Sequence, residues 1–471
     1  MILTLVTVPL YLKALGDAKY GILVLVWLVI GYFSFMELGL GRATAHKIAK
    51  KYGDHARERA EIFWTSVILN LTLGVIGAAL IWILADHLIL LFSSQYESFQ
   101  EDVKIALPWV ASTFPLALLS SILYGALEGR NKFLLVNTLQ LITTVFFQLI
   151  PLIIMYRYEA SLALVIPAAV ITKALMTVPC LVACMIYVPA TSTPVFSPKQ
   201  GKSLLSYGGF TALSGLLGML IETIDRMLIG FISGPVAVTH YSVPYQAVTK
   251  IRIIPSALMR ALFPKLSRVD GDFARKLSTT SLFVIIFIMT PVCCCIILVL
   301  NAFLRIWVGE DMAKSASSIG EIIAAGLWAN SLSQVAVYFL LGQSKPGMVA
   351  KIHLMQLVPF VIIMYACLSW YGIYGAACAW AGRCFIDAAV FLYKTNLYRA
   401  ITTHLLTPIS MITFSLILAR YNVEGGAYQT IIFLTMGCLW FLTWCFLNRK
   451  SEVIRMLLST ITSFISRKAE A

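Results

Sequence analysis

Apolar runs long enough to cross a hydrocarbon core of ~30 Å recur from one end of this 471-residue sequence to the other, separated by short polar stretches. About fourteen can be delimited, near 2–12, 20–41, 62–92, 106–127, 133–155, 160–188, 203–233, 238–263, 277–306, 316–341, 347–370, 372–393, 404–419 and 427–447. Composition agrees: 59% of residues are hydrophobic, 12% are charged and the mean hydropathy is +0.86, which leaves too little polar surface for a water-soluble globule. The expectation is an all-α polytopic membrane protein. The first run is anomalous, since about a dozen residues rise only ~18 Å as a helix; either its beginning is missing or it starts upstream. No basic n-region precedes it, so a cleaved signal peptide is not expected.

The formal charge of +14 raises nucleic acid as a partner, and the placement of the charges answers it. With a cytoplasmic amino terminus, Lys and Arg outside the runs divide about 22 inside against about 6 outside, as the positive-inside rule requires. GRATAHKIAKKYGDHARER, residues 41–59, and the tail from Arg449 carry much of the excess, while SSQYESFQED and VGEDM lie opposite. Basic cytoplasmic loops facing anionic lipid are expected, with no nucleic acid, and both termini inside. All ten cysteines fall within apolar runs and read as small apolar residues; the triplet Cys293–Cys295 points its thiols about 100° apart, so no metal site is expected. No cofactor is implied.

The chain also echoes itself. LGDAKYG before the second run matches SGPVAVTHYS before the eighth, KYGDHARERA matches VDGDFARKLS, ILADHLILLF matches VLNAFLRIWV, and LYGALEGRNKF matches VYFLLGQSKPG, all at offsets between about 214 and 221. Six runs lie between equivalent points, and an even number returns the chain to the same side. Two parallel six-helix lobes, related by a pseudo-two-fold along the membrane normal, are therefore expected at 1–188 and 203–398. The Pro-, Ser- and Lys-bearing segment 189–202 links them, 399–447 adds two further helices, and 448–471 is expected to form an amphipathic tail on the inner surface.

Ionisable groups deep in such runs cost ~2.5–3.5 kcal/mol each and belong in a bundle interior or a wet cavity. Glu222, Asp225 and Arg226, spaced i, i+3, i+4, share a helical face with Thr211, Gly215 and Gly218. The trio either locks this helix to its neighbours or forms a charged cavity wall, and nothing within the run separates the two. Tyr241, Tyr245, Thr249, Arg252, Ser256 and Arg260 recur every three or four residues in the next run, with Lys250 off that line and Pro255 able to kink the helix. Two arginines with no acid on their own helix favour contact with a ligand or headgroup. Arg383 and Asp387 are i, i+4 and read equally as a structural pair; Lys173 stands alone mid-run; Lys351 and His353 sit near a helix end and can snorkel, as can the other end groups Glu37, Asp86, Arg305 and Glu321. The deep set holds six cations, Lys173, Arg226, Lys250, Arg252, Arg260 and Arg383, against three acids, which implies an anionic cargo. Arg suits phosphate because its planar fork holds two oxygens.

LGDAKYGILVLVWLVIGYFSFMELGLGRATAHKIA, ETIDRMLIGFISGPVAVTHYSVPYQ with its trailing ALFPKLS, LEGRNKF and YGIYGAACAW give the chain its resemblance to a family. It resembles the Wzx-type O-antigen flippases, the polysaccharide-transporter branch of the multidrug/oligosaccharidyl-lipid/polysaccharide (MOP) exporter superfamily. The resemblance covers most of the chain and rests on the order of these segments rather than on any single motif. It implies a bacterial inner-membrane protein that turns an undecaprenyl-pyrophosphate-linked oligosaccharide between leaflets by alternating access, with a polymerase and a chain-length regulator as possible partners. It further implies substrate contacts from Arg252, Arg260, Lys250, Arg226, Lys173, Tyr241 and Tyr245, and coupling or gating by Glu222, Asp225, Arg383 and Asp387. The short first run departs from the pattern, since relatives carry residues before it.

Other classes fit less well. A glycosyl polymerase or ligase needs a sizeable extracytoplasmic loop, and the longest here is about a dozen residues, 93–105. A cation-coupled drug exporter of the same superfamily is the alternative, but its cavity is expected to favour acid over base. A fourteen-span major-facilitator transporter carries G-x-x-x-D-x-x-G-R-[RK] after its second span, where this chain reads ELGLGRATAHK. A receptor or scaffold has no reason for so many deep charges.

Overall fold

A computed structural model describes residues 2–35, 39–51, 55–83, 100–188, 195–269 and 271–421, with 435 and 440. Among these residues the chain is helical, with no strand. In chain order the helices are α1 (Ile2–Phe35), α2 (Leu40–Lys50), α3 (Ala56–Ile83), α4 (Gln100–Gly129), α5 (Phe133–Arg157), α6 (Leu162–Tyr187) and α7 (Pro198–Thr249). After a 3₁₀ turn at Lys250–Arg252 come α8 (Ile253–Leu266), α9 (Gly271–Val308), α10 (Glu310–Gly342), α11 (Pro346–Lys394) and α12 (Tyr398–Tyr421). Eight helices among the described residues are long and apolar enough to cross a membrane. The chain is a multi-pass membrane protein. The run at 427–447, the tail 448–471, Glu37, Asp86, Cys438 and Cys445 lie outside the described residues, as do the side chains at Thr211, Gly215 and Gly218.

Three helices carry a backbone break that turns one continuous element into two spans. Gly16 in α1 (φ 73°, ψ 170°), Gly234 in α7 (φ 82°, ψ 179°) and Gly372 in α11 (φ 59°, ψ −151°) each leave helical geometry for a region that essentially only glycine occupies at low cost. Gly16 and Gly234 fall at matching places in the LGDAKYG and SGPVAVTHYS echoes, with nearly the same dihedrals. A second device repeats at the end of LEGRNKF and its echo. Asn131 (φ 58°) and Ser344 (φ 56°) are both left-handed, and in each turn a lysine N–H closes onto a leucine carbonyl, Lys132 to Leu127 at 3.0 Å and Lys345 to Leu340 at 2.9 Å. The faint sequence repeat is thus carried by the same backbone devices in the same order.

The chain divides into two compact units, Met1–Thr239 and His240–Ala471. By packing, α7 up to Thr239 goes with the first unit, because its far end lies against α1. The Thr239 hydroxyl donates to the Asp17 carbonyl at 2.6 Å, and a β-carbon at Gly21 would overlap the Pro235 carbonyl oxygen. Exchanging lipid contacts for helix contacts brings little hydrophobic gain, so close approach through small residues is what binds such elements. At its near end, α7 starts with Pro198 inside the segment expected as a linker, and the Ser197 N–H donates to Thr65 Oγ1 of α3 at 3.1 Å.

In the first unit, α2 is held by three neighbours, α3, α7 and α4. Helix α2 is amphipathic: Leu40, Ala43, Thr44 and Ile48 are buried while Arg42, His46 and Lys50 face out. Thr44 Oγ1 meets Ser66 Oγ of α3 at 2.8 Å, and Lys47 Nζ donates to the Gln200 side chain of α7 at 2.9 Å and to its carbonyl at 3.3 Å. Burial pulls the Lys47 ammonium below the ordinary lysine range. Gly41 and Gly125 bring α2 onto α4, since a β-carbon at Gly125 would overlap the Gly41 carbonyl oxygen.

Candidate functional site: a polar cavity in the first unit

A cavity of about 490 Å³ opens among α2, α4, α5 and α6. Its walls are Gly41 and Arg42 from α2; Ala117, Ser120, Ser121, Tyr124, Gly125 and Glu128 from α4; Gln140, Thr143 and Thr144 from α5; and Lys173, Met176 and Thr177 from α6. On α4, α5 and α6 polar lining residues recur at three- or four-residue steps, as Ser120, Tyr124 and Glu128, Gln140 and Thr144, and Lys173 and Thr177 do, which places them on one face. Arg42 and Glu128 lie at the α2 side. Lys173 lies fourteen residues, about 21 Å along the helix axis, before the last residue of α6.

The hydroxyls around Lys173 are tied to their own helices. Thr177 Oγ1 donates to the Lys173 carbonyl at 2.9 Å, Ser120 Oγ donates to the Leu116 carbonyl at 2.8 Å, and Ser120 and Thr177 meet across the cavity wall at 3.2 Å. Thr144 Oγ1 bonds the Gln140 carbonyl at 2.7 Å. Each of these oxygens keeps a lone pair for a ligand. Among the described residues no hydrogen-bond or ion-pair partner meets the Lys173 ammonium, which stands half-buried at mid-helix with three donors to offer. The arrangement can hold a hydroxyl-rich ligand with a negative group near Lys173.

Of the residues expected from sequence to contact cargo, Lys173 lies in this cavity; the others are distributed elsewhere. In α7, Asp225 and Arg226 are buried while Glu222 is exposed. Arg226 Nε approaches Asp225 Oδ1 at 3.4 Å and its Nη2 donates to the Glu222 backbone carbonyl at 2.5 Å, so the guanidinium is shared between the adjacent Asp225 carboxylate and the main chain one turn earlier.

In the second unit Tyr241 and Tyr245 are buried and stacked, ring centroids 5.9 Å apart, and Tyr245 meets Trp380 edge-on at 5.5 Å. Lys250 and Arg252 are half-buried and Arg260 is exposed, so the stripe expected from Tyr241 to Arg260 does not keep one environment. The 3₁₀ turn at Lys250–Arg252 is the reason: at three residues per turn it advances the helical phase between α7 and α8. Ser256 of α8 instead meets Gln334 of α10 at 3.4–3.5 Å.

Arg383 and Asp387, expected as a possible i, i+4 pair, take separate partners on the first half of α11. The Arg383 guanidinium sits 5.0 Å over the Phe360 ring, and Asp387 Oδ1 lies 3.9 Å from His353 Nε2. His353, expected to snorkel, is held inward by that contact and by the Phe391 ring at 5.4 Å; Lys351 is exposed. Cys293 and Cys294 are buried and Cys295 is exposed, as the 100° turn per residue requires.

Comparison with known proteins adds what geometry alone does not. The profile of the polysaccharide biosynthesis protein family matches residues 1–270. The chain belongs to this family. A Shigella flexneri protein named as an O-antigen transporter is 28% identical over 395 residues, which span 82% of this chain and 92% of that protein. Among solved structures, the lipid II flippase MurJ in an inward closed conformation superposes with a TM-score of 0.72 at 15% identity, covering 95% of this chain and 97% of its own. An inward-facing multidrug resistance MATE transporter of the MOP superfamily gives the same TM-score and identity, covering 85% and 96%. The member of the polysaccharide biosynthesis family described here therefore has the fold of the MOP transporters, and its relatives are named as transporters rather than enzymes.

Proposed function

We propose that this protein carries an undecaprenyl-pyrophosphate-linked oligosaccharide across the bacterial inner membrane, for O-antigen or another surface polysaccharide, by alternating access of its two lobes. Its termini face the cytoplasm, which puts α2 and the end of the cavity that it lines on the side where such a substrate is made. The observation that carries the reading is the cavity of the first unit: ten of its fourteen lining residues are polar, and Lys173 offers an ammonium without an acid partner among the described residues. A glycan needs hydroxyl and amide partners, and a pyrophosphate or acidic sugar needs the cation. A cation-coupled exporter of apolar drugs shares the fold, yet a pocket for such cargo is lined mainly by apolar side chains.

Arg252, Arg260 and Lys250 supply the second cationic group, proposed to grip the pyrophosphate, while Arg226, Tyr241 and Tyr245 complete the contacts. Glu222, Asp225, Arg383 and Asp387 are proposed to exchange partners or protons as the lobes move. The polyprenyl tail stays in membrane lipid, and a polymerase and a chain-length regulator receive the product. The test is replacement of Arg252, Arg260 or Lys173 by Ala in the cell, with membrane insertion verified. Loss of surface polysaccharide in each variant is the expected result; normal polymer in all three overturns the reading.

A further inference from the structure

Away from the polar cavity, the first unit carries a second opening, a cleft of about 310 Å³ between the first half of α1 and the last turns of α5. Leu10 of α1 and Leu152, Ile153, Tyr156 and Arg157 of α5 line it, so its walls are apolar and its one charge stands in the last turn of α5. The seam is pinned one turn before the cleft and again at it: the Tyr11 hydroxyl donates to the Gln148 carbonyl at 2.8 Å, and the Tyr156 hydroxyl donates to the Leu10 carbonyl at 3.1 Å. Helix α5 faces outward along most of its length, with only Val136, Pro151, Leu152 and Met155 buried. It begins beside α2, where Gly129 packs on Ile48 and the Ala45 carbonyl. Its 25 residues rise ~37 Å, more than the ~30 Å hydrocarbon core, so Arg157 stands at the membrane face opposite α2. Among the described residues Arg157 is exposed and has no ion-pair partner. The repeat supplies a comparison. Counted from the matching left-handed turns, Lys132 to Arg157 corresponds to Lys345 to Trp370, and the second unit has the exposed aromatics Trp370 and Tyr371 there. Aromatics at that depth are ordinary interfacial anchors, whereas the cation and its cleft belong to the first unit.

We propose that this cleft binds one anionic phospholipid of the leaflet facing away from α2, its phosphate held by the Arg157 guanidinium and part of an acyl chain lying along Leu10, Leu152 and Ile153. The planar fork of an arginine takes two oxygens of one phosphodiester, and the apolar walls take a hydrocarbon chain but offer a saccharide no partners. A single cation matches the single charge of a phospholipid better than the diphosphate of a lipid-linked saccharide. Because the two tyrosine hydrogen bonds hold the seam, the cleft keeps its shape before the lipid arrives, and the bound lipid joins α1 to α5. The assignment does not depend on what the protein transports.

The experiment uses the full-length protein in detergent, with phosphatidylglycerol and phosphatidylcholine of the same acyl chains as probes, and native mass spectrometry to count the lipid retained. The wild type is expected to hold one phosphatidylglycerol about fivefold more tightly than phosphatidylcholine. Arg157→Gln is expected to bind the two alike, and Leu10→Trp, which fills the cleft and keeps the charge, to lose the tightly held lipid. Trp370→Ala, at the matching place in the second unit, is expected to keep the wild-type preference. Unfolding temperatures without added lipid identify any variant that has lost its fold, and the remaining one of Arg157→Gln and Leu10→Trp then decides. Equal binding of the two lipids by the wild type overturns the site, as does a preference that survives in either folded variant. Undecaprenyl phosphate is added last as a competitor: if it displaces the phosphatidylglycerol at equal concentration, the cleft is a seat for a polyprenyl lipid and the phospholipid assignment is wrong.

Discussion

Gly21 and Lys173 show two ways in which one residue is held to its identity. At Gly21 the constraint is space, because the Pro235 carbonyl oxygen occupies the place of a β-carbon. Gly21→Val is expected to destabilise the protein by about 1–3 kcal/mol through overpacking, read as a lower unfolding temperature in detergent. At Lys173 the constraint is function. An ammonium at mid-helix is costly to maintain in a membrane, and nothing among the described residues neutralises it. Lys173→Met is therefore expected to raise the unfolding temperature while lowering translocation at least about tenfold. A variant that loses stability together with activity would show that Lys173 serves the packing instead.

Helix ends are constrained one residue at a time as well. The turns after α4 and α10 share a left-handed residue and two hydrogen bonds, Asn131 N–H to Glu128 and Lys132 N–H to Leu127 in one, Ser344 N–H to Leu341 and Lys345 N–H to Leu340 in the other, but Asn takes that conformation at less cost than Ser. Ser344→Gly is expected to stabilise the protein by about 1 kcal/mol, and Asn131→Gly to change it by a few tenths, both measurable by denaturation in detergent. These turns also show why the repeat was legible at low sequence similarity. A break or a left-handed cap constrains one or two residues, so Gly16 and Gly234, or Asn131 and Ser344, keep their spacing while the intervening apolar residues drift. The spans themselves were readable because bilayer thickness fixes their length. The phase change before α8 was not, since a 3₁₀ turn at KIR has no sequence signal apart from nearby Pro255.

For the whole molecule, charge was the visible signal and hydroxyl groups were the missed one. Lys173 stood out in the sequence because an ammonium in an apolar run is rare, whereas Ser120, Tyr124, Gln140, Thr143 and Thr144 looked like ordinary residues of a membrane helix. Their three- and four-residue spacing on α4 and α5 was present in the sequence, but which faces meet is decided by packing among four helices. The partners of Arg383 and Asp387 were likewise hidden, being on the first half of α11, 23 and 34 residues away. The central claim is that a polar, cation-bearing cavity in this fold moves a lipid-linked anionic saccharide. It is tested most directly by reconstituting the purified protein in vesicles and following translocation of a polyprenyl-pyrophosphate-linked oligosaccharide beside a combined Lys173→Ala and Arg252→Ala variant. The account predicts a rate well above protein-free vesicles for the wild type and close to them for the variant; equal rates for wild type and variant would contradict it.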